Sequence, residues 1–240
     1  GAALAHERQA QSRRLNTTAF FFLLQIQNSK SQTFRILYWC VMVALMRVEP
    51  HGIGSVMHVM KRGGRGMDIV RDLEDKARFM RSLFYLNDEH ADPYWHMAAA
   101  RLDPPQRPDY WPDREPLVRI LAWTLLPNHF HLLLEEIREG GIAAFMQSLS
   151  GSMTKIFNAK YDSIGSIFQG SYRGKVIDND QYLHTVFLYI VVKNVLEQYP
   201  GGLKRALQNF DDAWEWSLKY RFSSLSAHAR GGSSPIIEES

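Results

Sequence analysis

The stretch Pro127-Asn128-His129-Phe130-His131-Leu132-Leu133-Leu134-Glu135 decides how this chain is read. Side chains two residues apart on a β-strand point to the same face. Read as a strand, the run stands His129 and His131 side by side and turns Phe130, Leu132 and Leu134 toward a core. Buried polar groups need partners, and an adjacent pair doubles the demand. Two imidazoles held this way form half of a metal site. The plainer alternative is one satisfied core histidine beside one surface histidine.

Working outward, residues 117–126 form an apolar strand that Pro127-Asn128 turns into the histidine strand. Upstream, Val56-Met57-His58-Val59-Met60 alternates into the basic glycine-rich turn Lys61-Arg62-Gly63-Gly64-Arg65-Gly66. Residues 72–85 show helical spacing at Leu73, Ala77, Met80 and Phe84, with Glu74 and Asp75 in the first turn. Residues 88–116 carry Pro93, Pro104, Pro105, Pro108, Pro112 and Pro116, a density that predicts a long loop. Downstream, residues 142–160 read as an amphipathic helix, and 165–169 and 172–177 as short strands around Gly170-Ser171. Residues 181–198 read as a strong helix capped by Asp178 or Asn179, followed by a short helix near 210–218 and a Gly/Ser-rich end. Strand, helix, two strands, helix, strands, helix is not the alternation of a doubly wound sheet. It predicts an α+β fold, an antiparallel sheet with helices packed on a face.

With 240 residues and 45% hydrophobic content, the chain can bury one domain core plus appendages. The lone cysteine, Cys40, excludes an internal disulfide framework and fits a reducing, cytoplasmic compartment. The formal charge is +3, but residues 1–45 hold Arg8, Arg13, Arg14, Lys30 and Arg35 against Glu7 alone. The rest of the chain is near neutral, so net charge by itself makes no case for DNA. In that first segment, apolar runs at 17–24 and 36–45 flank a mostly polar stretch. Neither reaches the ~18–20 residues of a membrane helix, and the pattern fits a signal peptide poorly. The reading is an appendage over 1–45, with an extra packed element and a membrane anchor as lesser alternatives. Met46 is a natural start for a domain over 46–228, and 229–240 forms a flexible tail.

A metal on His129 and His131 would keep open positions, as a catalytic site requires. The 181–198 helix offers Tyr182 and Tyr189, seven residues apart and on one face. A phenol of pKa about 10 is a poor nucleophile unaided. Beside a metal that polarises a phosphodiester it can attack phosphorus. Periodicity alone reads Tyr189 as a core aromatic.

Four segments in order add a resemblance: RGGRGMDIVRDLEDKARF (62–79), PNHFHLLLE (127–135), GSIFQGSYRGKVIDNDQYL (165–183) and YIVVKNV (189–195). Together they resemble the single-tyrosine transposases of the HUH (His-hydrophobic-His) endonuclease superfamily, specifically the REP-associated tyrosine transposase group. KYRFSSLSAH (219–228) is similar to that group's closing segment, so the resemblance covers residues 52–228. It implies a ferredoxin-like sheet carrying His129 and His131 as metal ligands, and a helix delivering Tyr189 as the nucleophile. It also implies an enzyme that cuts single-stranded or hairpin-bearing DNA through a 5′-phosphotyrosine, with Mg²⁺ or Mn²⁺ as cofactor.

One departure from the family pattern stands out. Members carry Asn or Gln four residues after the tyrosine, facing the metal, whereas here that position is Lys193 and Asn194 follows. A protonated amine cannot ligate a metal. Either Asn194 substitutes through a local shift of the helix, or the ion is held less tightly, or this copy is impaired. Lys61, Arg62 and Arg65, with Arg173 and Lys175, are candidate phosphate contacts, and Tyr172 is a DNA-facing or packing residue. Tyr182 is the reserve nucleophile. The expected partner is DNA and not a membrane, with the chain acting as a monomer or homodimer. The competing readings are a hairpin-DNA-binding protein of the same fold that has lost cleavage, and a replication or conjugation initiator.

Overall fold

The computed structural model describes residues 15–24, 51–92, 94–99, 105–231 and 234–237. Cys40, Met46 and the apolar run 36–45 lie outside the described residues. Helix α1 spans 15–24. Strand β1 (Val56–Arg62) leads through a single 3₁₀ turn (Gly64–Gly66) to α2 (Leu73–Tyr85). A short α3 (Trp95–Ala99) lies in the proline-rich region, before the hairpin β2 (Val118–Leu126) and β3 (His129–Glu136). Then come α4 (Gly141–Tyr161), β4 (Arg173–Ile177) and α5 (Asp180–Leu188). The last continues through a π-helical turn (Tyr189–Lys193) into α6 (Asn194–Leu196). Helices α7 (Gly202–Gln208), α8 (Phe210–Ser217) and α9 (Leu225–Arg230) close the described chain.

The strands form one antiparallel sheet in the order β2-β3-β1-β4. With α2 between β1 and β2 and α4 between β3 and β4, this is the βαββαβ arrangement of a ferredoxin-like sheet, and the expected α+β class stands. Local chemistry explains the element starts. Asp72 accepts the Asp75 N–H at 2.9 Å to open α2, and Asn179 accepts the Tyr182 N–H at 2.8 Å to open α5. Gly174 sits where β4 crosses Met57, and an added Cβ would meet the Met57 sulfur at 2.5 Å.

Both faces of the sheet are covered. Met57, Val59, Phe130, Leu132 and Leu134 pack against α2 and α4 in one core cluster. Ala122 and Leu133 belong to a second cluster with Val186, Ile190, Val191 and Val195 from the α5–π–α6 helix. Helix α1 adds Ala19, Phe22 and Leu23 to that second cluster, with Phe20 5.0 Å from Phe210 ring to ring. In the region expected to be a flexible tail, Ile236 is buried in the first cluster.

Some elements differ from the sequence reading. Residues 165–169 make only an isolated bridge, Gly63 with Phe168, because Gly165 and Gly170 take positive φ at either end. Helices α3, α7 and α9 were not foreseen; each is short, and α7 follows Pro200-Gly201, which reads as a stop. The 222–224 segment borders β2, with the Leu125 N–H donating to the Phe222 carbonyl and the Ser224 N–H to that of Trp123. This covers what would otherwise be an open sheet edge.

Candidate active site

The strand register decides which side chains meet. Met60 lies opposite His131 and Arg62 opposite His129 on β1, while Thr124 and Leu126 lie opposite the same histidines on β2. His129 and His131 share a face with ring centroids 5.0 Å apart, and Phe130 turns to the other core. His58, two residues before Met60, is their diagonal neighbour. Its Nε2 is 2.9 Å from His131 Nδ1. His58 is a site residue that sequence reasoning missed. The signal was its shared parity with Met60 and Arg62, which acquires meaning only once β1 is paired with β3.

The rings sit in a dry setting. His58 is fully buried and its pKa falls to about 4 through desolvation. His129 also falls to about 4, chiefly by burial and then by the positive charges of Arg62 and Lys193. Burial pushes His131 well below the usual imidazole range, with His58, His129 and Lys193 adding to the effect. All three are neutral near pH 7, the form in which imidazole ligates metals. The Asn128 side chain donates through Nδ2 to the Gly66 carbonyl at 3.3 Å, and its Oδ1 lies 2.6 Å from His129 Nδ1. The proton of His129 therefore sits on Nδ1, leaving Nε2 with a lone pair. His131 Nε2 is buried with no hydrogen-bond partner among the described residues.

The tyrosine helix arrives from the second core. Tyr189 is half-buried, its ring 5.5 Å from that of His131 at 83° and 6.2 Å from that of His58. It opens the π turn, and the Asn194 N–H donates to the Tyr189 carbonyl, five residues back rather than four. The turn is a local widening of the helix between Tyr189 and Asn194, and it is Lys193 that lies against the Tyr189 ring. Asn194 is buried, and its Nδ2 has no partner among the described residues. The Thr124 hydroxyl donates to the Ile190 carbonyl and ties the π turn to β2. Lys193 is buried as well, with Nζ 2.6 Å from Glu197 Oε1 and 4.9 Å from the centre of the Tyr189 ring. Tyr182, the reserve nucleophile, lies in the first turn of α5 against the second core cluster.

The expected DNA contacts divide between two faces. Arg62, Arg173 and Lys175 share the parity of the histidine face, Arg173 opposite Met60 and Lys175 opposite His58. Lys61 points the other way, half-buried over the Phe168 ring at 5.1 Å, and burial lowers its pKa. Tyr172 packs against the first core cluster, where burial raises its pKa. Arg65 is exposed and holds a left-handed φ of 54° between Gly64 and Gly66.

Residues 114–193 match the family model described as transposase, IS200 like. Over these residues the chain is similar to IS200-like transposases. The matched segment holds β2, the histidine strand, α4, β4, α5 and the π turn; it leaves out β1 and His58. The resemblance to single-tyrosine transposases is thereby borne out. Among solved structures, a REP-associated tyrosine transposase bound to a REP hairpin is 14% identical, with 81% of this chain and 92% of that one covered at a TM-score of 0.45. A candidate transposase from Deinococcus radiodurans R1 is 12% identical, with 58% and 92% covered and a TM-score of 0.32. A bacterial tRNA(His) guanylyltransferase-like protein in complex with GTP is 11% identical, with 75% and 76% covered and a TM-score of 0.33. No curated protein matches the chain.

The donor set bears on a divalent ion in a definite way. Among the described residues no group of three or more His, Cys, Asp or Glu is arranged to hold a metal. Two neutral imidazoles, with bare Nε2 on His129 and an orphaned Nε2 on His131, supply two nitrogen donors. That fits an ion whose remaining positions are filled by water and phosphate oxygens. Also among the described residues, no helix is long and apolar enough to cross a membrane.

Proposed function

We propose that this protein is a metal-dependent, single-tyrosine DNA transposase that cuts and rejoins single strands through a 5′-phosphotyrosine. The observation that carries the reading is the Tyr189 ring 5.5 Å from His131 on the face shared by both histidines. His129 and His131 would hold Mg²⁺ or Mn²⁺ through Nε2, the nitrogen pair favouring the softer Mn²⁺. When bound, such an ion supplies Lewis-acid polarisation of the scissile phosphate. Asn194, buried at the end of the π turn, is the candidate for a further oxygen donor.

In the first step the Tyr189 oxygen forms a bond to phosphorus while the bond from phosphorus to the 3′ oxygen breaks. The phenol loses its proton and the departing 3′ oxygen gains one. In the second step a 3′ hydroxyl of another strand reverses the exchange and frees Tyr189. Arg62, Arg173 and Lys175 lie where phosphates of a bound strand would cross the histidine face. Arg65 extends that basic edge, whereas Lys61 and Tyr172 support the sheet from the opposite core.

Lys193 favours a second reading, a hairpin-DNA-binding protein that no longer cleaves. Its buried cation lowers the basicity of both histidines. A hairpin-bearing single strand incubated with the protein and Mn²⁺, then run under denaturing conditions, separates the two. The transposase gives a covalent protein–DNA band that is absent in Tyr189→Phe and kept in Tyr182→Phe. The binding protein shifts the hairpin in a native gel and gives no covalent band.

A further inference from the structure

We propose that His58 is a positioning residue that fixes the tautomer of His131, as Asn128 fixes that of His129. The inference deepens the metal-site reading above and rests on it. Asn128, anchored on Gly66, accepts the hydrogen bond of His129 Nδ1–H and leaves Nε2 bare. His131 has the same arrangement one step deeper: its Nδ1 lies 2.9 Å from His58 Nε2, and its own Nε2 is buried and unpaired among the described residues. A metal-bound histidine nearly always gives its other ring N–H to an acceptor, which sets both ring orientation and tautomer.

One proton lies between the two rings, and it can belong to either. Both placements leave one donor and one acceptor unpaired, on His58 Nδ1 and His131 Nε2. Ligation through the buried Nε2 decides between them, because a ligating nitrogen must present a lone pair. The proton therefore resides on His131 Nδ1, and His131 Nε2 presents a lone pair beside that of His129. The sheet register builds this in, since His58 stands diagonally across from His131. Each ligand thus has one orienting neighbour: Asn128, in the turn between β2 and β3, holds His129, and His58, on β1, supports His131.

The test uses the metal-free full chain with ¹⁵N-labelled histidine, read by long-range nitrogen–proton correlation, alongside Mn²⁺ titration by electron paramagnetic resonance. Neither readout requires DNA. The wild type is expected to show His131 protonated at Nδ1 and bare at Nε2. His58→Phe is expected to lose that tautomer and to weaken Mn²⁺ binding by ~10–100-fold. His58→Gln, whose amide oxygen can accept from Nδ1, is expected to keep the tautomer and restore most of the affinity, which a packing role alone would not do. A wild-type His131 protonated at Nε2 overturns the proposal, as does a His58→Gln variant that is folded yet behaves like His58→Phe. A protein with the expected tautomer and metal binding but no strand cleavage refutes only the transposase reading.

Discussion

At the scale of single residues, the site is two buried imidazoles, a part-buried imidazole and a half-buried phenol, with one buried ammonium beside them. Folding holds His58 and His129 at about 4 against about 6.5 for a free ring, so the unfolded chain binds protons first as pH falls. The sign follows: stability is fully present above about pH 6.5 and declines below it, by about 1.4 kcal/mol per pH unit for each such ring. The decline levels off near pH 4, where the folded rings themselves charge. Denaturant unfolding of the metal-free protein across that window is expected to show a midpoint that drops steadily. A midpoint unchanged down to about pH 5 would contradict the burial of these rings. Asp72 makes a separate contribution, as the cap of α2 and a partner of Lys160 at 2.7 Å. Asp72→Ala is expected to lower the unfolding midpoint in the same assay.

At the scale of elements, the π turn is the unusual feature. Its backbone hydrogen bond runs from Asn194 to Tyr189, five residues rather than four. Deleting Lys193 would leave Asn four residues after Tyr189 in a regular helix and remove the buried cation together. The deletion variant is expected to fold, keep its helical circular dichroism and bind Mn²⁺ at least as tightly as the wild type. Loss of folding would mean that the turn is held by more than the insertion. Strand β4 offers a second test. A methyl at Gly174 would press into the Met57 sulfur, and Gly174→Ala is expected to cost about 1–3 kcal/mol by overpacking. The strong periodic elements were readable in the chain: β1, α2, the β2–β3 hairpin, α4 and α5 fall where alternation and helical spacing place them. The π turn was not, because backbone hydrogen bonds shifted by one residue leave no mark on apolar spacing. Nor was the diagonal contact of His58 with His131, since a register belongs to two strands and is written in neither.

At the scale of the whole molecule, a ferredoxin-like sheet is buried on both faces, and the histidines lie on the face the tyrosine helix covers. The same helix supplies the proposed nucleophile and much of the second core, so the geometry of the candidate site and stability are tied together. Helix α1 shares in that core through Leu23, which is fully buried. Leu23→Ala is expected to destabilise the full chain by about 2–5 kcal/mol in urea unfolding, whereas an unpacked appendage would show no change. The basic N-terminal charge gave no hint of this packing, because apolar residues in 17–24 are compatible with several environments. The most direct measurement is to digest the covalent product of a hairpin-bearing single strand and sequence the nucleotide-bearing peptide by mass spectrometry. The account predicts a 5′ phosphate on Tyr189; a nucleotide on Tyr182, on any other residue, or on none would contradict it.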